Sequence, residues 1–253
     1  MARDAHQSVL RLDGPPPDPA EGVFETTLVV HGRAVEVDAH LARLERSLRA
    51  LYGQPLPADA RSLIEDGASG VELGRLRLTV VPAAEPNVRV ADVDAVLVFP
   101  EVAVDVAPVT VPGGIGPHKW ADRRLLDQAQ AELDPAVPLV LDSDGTPLEG
   151  SRSNLFVARD GSLATPPTDG RILPGVARAR AIEVARTAGI EVSERALTLD
   201  ELAAADEVFM TGGVRGVEPI RHCVGIGEWD SGELTARVRA ELRRAWLEAD
   251  VPS

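Results

Sequence analysis

The sequence predicts an α+β fold in two parts. A smaller N-terminal part covers residues 1–112, a linker covers 113–117, and a larger, strand-rich C-terminal part covers 118–253. Three observations predict this. Strand-like and helix-like segments succeed one another in the first hundred residues. A Pro/Gly-rich stretch, "APVTVPGGIGP", then interrupts the pattern at 107–117. Behind it comes a meander of short strands punctuated by DG pairs, with helices before and after it. With 253 residues and 44% apolar side chains, the chain can bury a sizeable core.

In order, "EGVFETTLVVHGRAVEV" reads as two strands with a turn at His31–Gly32. "DAHLARLERSLRALYG" reads as a helix with Asp38 as N-cap, Leu41, Leu44, Leu48 and Leu51 on one face, and Gly53 as its stop. "RLRLTVV" alternates Leu76, Leu78 and Val80 as a half-buried strand does, and "AVLVF" reads as a more buried strand. After the linker, "WADRRLLDQAQAEL" reads as helix. The stretch from "PLVLDSDG" to "DGRIL" reads as an antiparallel meander with turns at 144–145, 160–161 and 169–170. "PGVARARAIEVARTAG" is a helix with Pro174 near its first turn and Gly189 past its end. "TLDELAAAD" opens with a Thr198–Glu201 capping box, "DEVFMTGGVRGVEPI" reads strand, glycine turn, strand, and an amphipathic helix closes the chain.

Composition excludes several functions. A net charge of −14 argues against a nucleic-acid or anionic-membrane surface, and an anionic substrate would need a local arginine pocket. No apolar run reaches the length of a membrane span, and "MARDAHQSVLRLDGPPPDPA" has no signal-peptide core. The single cysteine, Cys223, rules out an internal disulfide framework and suits a cytoplasmic location. Five scattered histidines, with no CxxC and no HExxH, give no metal site. Gly113, Gly114 and Gly116 do not follow a strand and open a helix, so they are not a dinucleotide fingerprint.

Of the 26 basic residues only Lys119 is lysine, and all the others are arginine. Two readings are open. Lys119 is a leftover of a chain that prefers arginine, or it does what arginine cannot, which is to lose its proton and form a Schiff base. Its place directly after the linker, at a domain junction, is where ligand pockets often form. A phosphorylated aldehyde cofactor would need three more things: a carboxylate for its pyridine nitrogen, backbone amides for its phosphate, and an arginine. Glu149 among turn residues is a candidate for the first. Val176 and Ala177 at a helix start, and Thr211, Gly212 and Gly213 in a glycine turn, are candidates for the second. His118 and Cys223 read as structural.

"HKWADRR", "LEGSRSNLFV", "ILPGVARARAIEVA" and "EVFMTGGVRGVEPI", preceded by "GVFET" and "DAHLARLERSL", resemble the ordered motifs of the class IV (fold-type IV) pyridoxal-phosphate enzymes. That family includes branched-chain aminotransferases, D-amino acid aminotransferases and 4-amino-4-deoxychorismate lyases. The resemblance runs from about residue 21 to 221. It implies a D-amino acid aminotransferase-like fold, pyridoxal 5′-phosphate as cofactor, a small-molecule substrate and a homodimer. Lys119 matches the lysine that holds the cofactor and shuttles the proton. Glu149 matches the glutamate on the pyridine nitrogen, and Arg43, in "HLARL", matches the phosphate arginine of "HxxRL". Val176 and Ala177 match the amides that cap the phosphate, with Gly212 and Gly213 at a second phosphate-side position. Arg123 matches a "KxxxR" pattern common in the lyase branch, and Arg215 is the candidate for a substrate carboxylate.

The departures are specific. Many relatives carry a threonine where this chain has Ala177, and Ser or Thr where it has Gly213, so two phosphate hydroxyls are missing. The arginine of the usual "RG" after "RLRLTV" is absent, and "LDGPPPDPAE" replaces a glycine-rich segment before "VFET". The short chain, the "KxxxR" spacing and the "RGVEPI" ending resemble the lyase, which yields 4-aminobenzoate and pyruvate. An aminotransferase, and a degenerate member that binds without turnover, are the alternatives.

Overall fold

The computed structural model describes residues 10–12 and 14–248. Residues 1–9, 13 and 249–253, which include both outer ends of the predicted parts and the start of the N-terminal stretch, lie outside the described residues. The elements run β1 (Leu10–Arg11), β2 (Val23–Val30), β3 (Arg33–Ala34), α1 (Val37–Tyr52), α2 (Ala60–Ala68), β4 (Leu73–Val80), β5 (Asn87–Asp92) and β6 (Val104–Thr110). They continue through α3 (Arg124–Leu133), β7 (Val137–Leu141), β8 (Pro147–Gly150), β9 (Ser153–Arg159), β10 (Ser162–Thr165) and α4 (Val176–Thr187). The chain ends with β11 (Val192–Glu194), α5 (Leu199–Ala203), β12 (Glu207–Gly212), β13 (Gly216–Cys223), β14 (Gly227–Glu228) and α6 (Glu233–Leu247).

A four-stranded sheet, β3-β2-β4-β5, packs against α1 and α2. A ten-stranded sheet follows the path β1-β6-β7-β8-β9-β12-β13-β14, with β10 and β11 beside β9. Because β13 also pairs with β6 in parallel, the path from β6 to β13 closes on itself. Strand β2 is the common wall of two cores. Its Val23 and Val29 pack with Leu41, Leu44, Leu48 and Ile64, while Leu28 and Val30 pack with Phe156, Phe209 and α4 and α6 side chains. Both faces of β2 therefore bury apolar side chains, and burial of that area is the main favourable term in placing it.

The predicted turns at 144–145 and 160–161 are present, with Gly145 at φ 85° and Asp160–Gly161 at 50° and 76°. The turn at 169–170 makes no hairpin; those residues lead to α4. The Thr198–Glu201 capping box forms on both sides. Four further expectations change. Helix α1 starts at Val37 on an unassisted Glu36 in the left-handed region, and Asp38 is not its cap. The Glu36 carboxylate is taken instead by Trp246 Nε1 at 3.2 Å and Arg180 at 3.3 Å, and Asp38 pairs with Arg61. "AVLVF" is not a strand: Val96 and Leu97 sit in an exposed 3₁₀ turn and only Phe99 is buried. Residues 107–110, read as part of the linker stretch, continue β6 inside the larger sheet. Helix α2 was not expected at all. Residues 113–117 are loop.

Candidate active site

The cleft at the junction of the two sheets has a volume of about 1010 Å³, the upper end of what small-molecule sites span. Lys119 reaches it through a short annex to the smaller sheet. Phe24 N donates to Lys119 O at 2.9 Å, Ala121 N donates to Gly22 O at 3.0 Å, and Trp120 bridges Val23. The same segment is tied to α1 by His118 Nδ1 and Ser47 Oγ at 3.0 Å. His118 also lines the cleft. Lys119 Nζ stands 4.8 Å from the centre of the Phe24 ring. Burial, and next the Arg43 charge, lower its ammonium to about 7, so a free amine is available near neutral pH.

Three neighbouring strands present the polar floor. Glu149 on β8 is registered against Asn154 on β9, and Asn154 against Thr211 on β12, so the three side chains share one face. Glu149 is buried and accepts from Leu173 N at 3.1 Å and Asn154 Nδ2 at 3.2 Å. Burial pushes its carboxyl up to about 8, against the Leu173 bond and the attraction of Lys119, Arg43 and Arg123. Thr211 Oγ1 is buried and has no partner among the described residues.

One end of the cleft is cationic. On α1, His40, Arg43 and Ser47 recur on a buried face adjoining the leucines, and His40 and Arg43 line the cleft. Arg43 donates Nη1 to Pro174 O at 3.1 Å, just before α4. Helix α4 begins after Gly175 with no side-chain cap, so its first amides, those of Val176 and Ala177, have no acceptor within the helix. Gly212 and Gly213 line the same cleft. Arg43, the α4 start, Thr211 and the glycines all line the one cleft, and helix starts and glycine turns of this kind are suited to an anion.

Sequence reasoning missed the residue that holds Arg43. Glu25 on β2 receives Arg43 Nε at 2.8 Å and Nη2 at 2.5 Å, and His40 Nδ1 lies 2.7 Å from the same carboxylate. Burial alone would raise the Glu25 carboxyl, but the Arg43 charge and the hydrogen bonds from Arg43 and His40 outweigh it and hold it at about 2. The available signal was an acid inside the apolar strand "GVFETTLVV". Asn154 and Ser151 were missed as well. The two "missing" hydroxyls acquire a physical reason. Ala177 packs in the apolar core, and a Cβ on Gly213 would stand 3.1 Å from Thr26 O. Thr211 offers one hydroxyl in their place. Arg215 is not brought to the cleft; its guanidinium is held by Glu218 on the same hairpin, with Nε 2.8 Å from the carboxylate. Cys223 is buried, and burial pushes its thiol up to about 12, which leaves it inert. Among the described residues no cluster of acids, histidines and cysteines could hold a metal ion. No helix there is long and apolar enough to cross a membrane.

Comparison with known proteins fits this geometry. The D-alanine aminotransferase of Bacillus licheniformis is 28% identical over 253 residues, covering 90% of this chain and 88% of that enzyme. The branched-chain-amino-acid aminotransferase of Escherichia coli K12 is 42% identical over 103 residues, 40% of this chain and 33% of that enzyme. The chain thus matches only a third of the length of that relative. Among solved structures, 4-amino-4-deoxychorismate lyase from Pseudomonas aeruginosa superposes with TM-score 0.72 at 26% identity, covering 88% of this chain and 90% of that one. A hypothetical aminotransferase from Mycobacterium tuberculosis, in a form with α-ketoglutarate and PMP bound, superposes with TM-score 0.79 at 25% identity, covering 91% and 90%. The model of the amino-transferase class IV family matches residues 22–106 and 116–223, and the chain belongs to that family.

Proposed function

We propose that the chain is a pyridoxal-phosphate enzyme that cleaves 4-amino-4-deoxychorismate to 4-aminobenzoate and pyruvate, with Lys119 as its catalytic residue. The observation that carries the cofactor reading is one cleft that holds a low-pKa lysine, a buried carboxylate, an arginine and an uncapped helix start. The residues fit the group. The orphaned Thr211 hydroxyl and the uncapped start of α4 are what a phosphate would satisfy. Arg43, Val176, Ala177, Gly212 and Gly213 would hold that phosphate, and Glu149 would face the ring nitrogen. When bound, pyridoxal phosphate supplies an electron-accepting ring that stabilises charge at the substrate's α-carbon.

The remaining work falls to this chain. Lys119 Nζ, with a free-amine fraction near pH 7, would anchor the cofactor and, as a free amine, would take a proton from the substrate's α-carbon. Glu149 is held in place by Leu173 and Asn154. A protonated ring nitrogen would give Glu149 a cationic partner and favour the carboxylate that burial alone disfavours. Glu25 fixes the Arg43 fork, so that fork needs no reorganisation when an anion enters.

Lyase activity is favoured by Arg123 in the cleft four residues past Lys119 and by the likeness to the Pseudomonas lyase. Aminotransferase activity is the second reading, favoured by the near full-length match to the D-alanine aminotransferase. Incubation with aminodeoxychorismate decides between them. Equimolar 4-aminobenzoate and pyruvate support the lyase; keto-acid formation from amino acids without 4-aminobenzoate overturns it. The family resemblance further supports a homodimer, while the single cysteine suits a cytoplasmic location and the net charge of −14 argues against a nucleic-acid partner. Sedimentation at micromolar concentration tests the dimer, and a monomer there overturns it.

A further inference from the structure

Just before α4 the chain passes through a short segment, residues 171–175, that belongs to no strand or helix, so no hydrogen-bond ladder holds it. Yet the groups on which the site depends hang from its backbone. Arg171 O accepts from Gly116 N at 3.1 Å, in the loop that leads into Lys119. Leu173 N donates to Glu149 Oε1 at 3.1 Å, and Leu173 O accepts from Asn154 Nδ2 at 2.9 Å. Pro174 O accepts from Arg43 Nη1 at 3.1 Å. The loop before Lys119 and the Glu149 carboxylate are thus fastened two residues apart on one strut.

The strut is held by one apolar side chain and one charged one. Ile172 is 1% exposed and packs with Val109, Val140 and Leu148, and Ile115 of the loop packs against the same cluster. The Arg171 guanidinium is not among the groups lining the cleft. It donates Nε and Nη2 to Asp169 at 3.0 and 2.7 Å, and Nη1 to Asp142 Oδ2 at 3.2 Å. Asp142 is mostly shielded from water, and its other oxygen accepts from Gly113 N at 2.9 Å. The loop is therefore gripped twice, at Gly113 through Asp142 and at Gly116 through Arg171 O. It needs the grip. Gly113, Gly114 and Gly116 have φ of 75°, 75° and 86°, and glycine takes up such angles without steric cost but loses the most freedom in being kept there. A Cβ at Gly114 would stand 2.1 Å from Arg171 O, so loop and strut meet backbone to backbone.

We propose that Arg171 is a positioning residue for the reaction: by joining Asp169 to Asp142 it fixes the strut, and through the strut it sets Lys119 and Glu149 in register with each other. The proposal rests on the reading of Lys119 and Glu149 as the groups that serve the cofactor, deepens it, and holds for lyase and aminotransferase alike. A planar guanidinium grips two carboxylates at once in fixed directions, whereas an ammonium is a point charge that fixes none. Misplacing a reacting group by about 1 Å costs on the order of a hundredfold in rate, so a side chain outside the cleft governs what happens inside it.

The test uses the fact that Lys119 is the only lysine. Protein grown on lysine labelled with ¹⁵N at Nζ carries a single labelled amine, and its titration by NMR reads its surroundings in the cofactor-free protein. Burial, with Arg43, Glu25, Arg123 and Glu149 around it, holds that midpoint at about 7 in the parent. In Arg171→Gln the strut slackens and water reaches the amine, so the midpoint should rise by about one unit. Arg171→Lys should recover part of the shift, and its added amine, titrating at about 10.4, is resolved from that of Lys119. Asp142→Asn keeps an acceptor for Gly113 N and removes the charge that Arg171 pairs with. It should shift the midpoint the same way, and it decides the matter where Arg171→Gln does not fold. A purely structural Arg171 would lower the urea midpoint and leave the Lys119 titration of the folded protein where it was; that result overturns the proposal. Borohydride labelling with added pyridoxal phosphate reports separately on Lys119. Label elsewhere, with a titration that depends on Arg171, refutes the Lys119 reading alone; label on Lys119, with a titration indifferent to Arg171, refutes the strut alone.

Discussion

Lys119 and Glu149 are moved toward their neutral forms by the same cause, the water that the cleft excludes. The lysine is lowered from 10.5 to about 7 and the glutamate raised from 4.5 to about 8. The sign of each effect on stability follows from which state binds more protons. Between about 7 and 10.5 the unfolded chain binds the extra proton at Lys119, so that group makes stability rise with pH. Between 4.5 and about 8 the folded chain binds the extra proton at Glu149, so that group makes stability fall as pH rises. In cofactor-free protein, Glu149→Gln should therefore gain stability over the parent as pH increases through that second window. Urea midpoints at a series of pH values measure it, and a constant difference refutes the assignment. With cofactor and substrate present, the same variant should lose turnover far more than cofactor affinity. Lys119→Arg keeps the charge but not the removable proton. It should fold and lose the borohydride-fixed phosphopyridoxyl group, which peptide mass mapping should find at Lys119 in the parent. Label elsewhere would make the lone lysine a coding leftover.

Among the elements, the start of α4 couples the cationic end of the cleft to its floor. A Cβ at Gly175 would come within 1.9 Å of Asn154 Oδ1, so Gly175→Ala must push Asn154 off Glu149 and off Leu173 O. We expect weaker cofactor binding and a stability loss of about 1–3 kcal/mol, the usual cost of overpacking, read by fluorescence titration and denaturant melts. Gly213→Ser, which the sequence alone would offer as a repair, meets Thr26 O at 3.1 Å and should not tighten binding. These contacts show where sequence reading stops. The period of α1 and β4, the DG turns at 144–145 and 160–161 and the α4 boundaries were legible because each is set by local chemistry. Helix α2 was not, because Asp66 and Gly67 blur its short apolar face. "AVLVF" misled because apolar content implies burial only when something covers it, and Val96 is 70% exposed. Strand β6 was hidden by Pro108 and the glycines that follow. Lys119, Glu149 and the α4 start could be named from motifs, whereas the Glu25–Arg43 pair joins a strand to a helix by a contact no spacing encodes.

For the whole molecule, the cleft draws on both sheets, so a ligand there links them. Pyridoxal phosphate should raise the midpoint of a single thermal transition, by about 2.7 kcal/mol of stabilisation at a hundredfold excess over its dissociation constant. Lys119→Arg should lose most of that shift; two separate transitions with only one responding would show that the sheets unfold independently. The closure of β6 on β13 has a further consequence, in time. A strand inside a closed path cannot leave from an edge, so its amides exchange with solvent only when the whole path opens. Strands β9 and β12, registered along their length and lined by Phe156 and Phe209 stacked 4.9 Å apart, should hold their protons longest. The exposed edge strand β5 should release its protons first. The slowest amides of the protein would then lie directly beneath Glu149 and Thr211, so that the floor of the cleft keeps its shape over the many openings and closings of the surface around it.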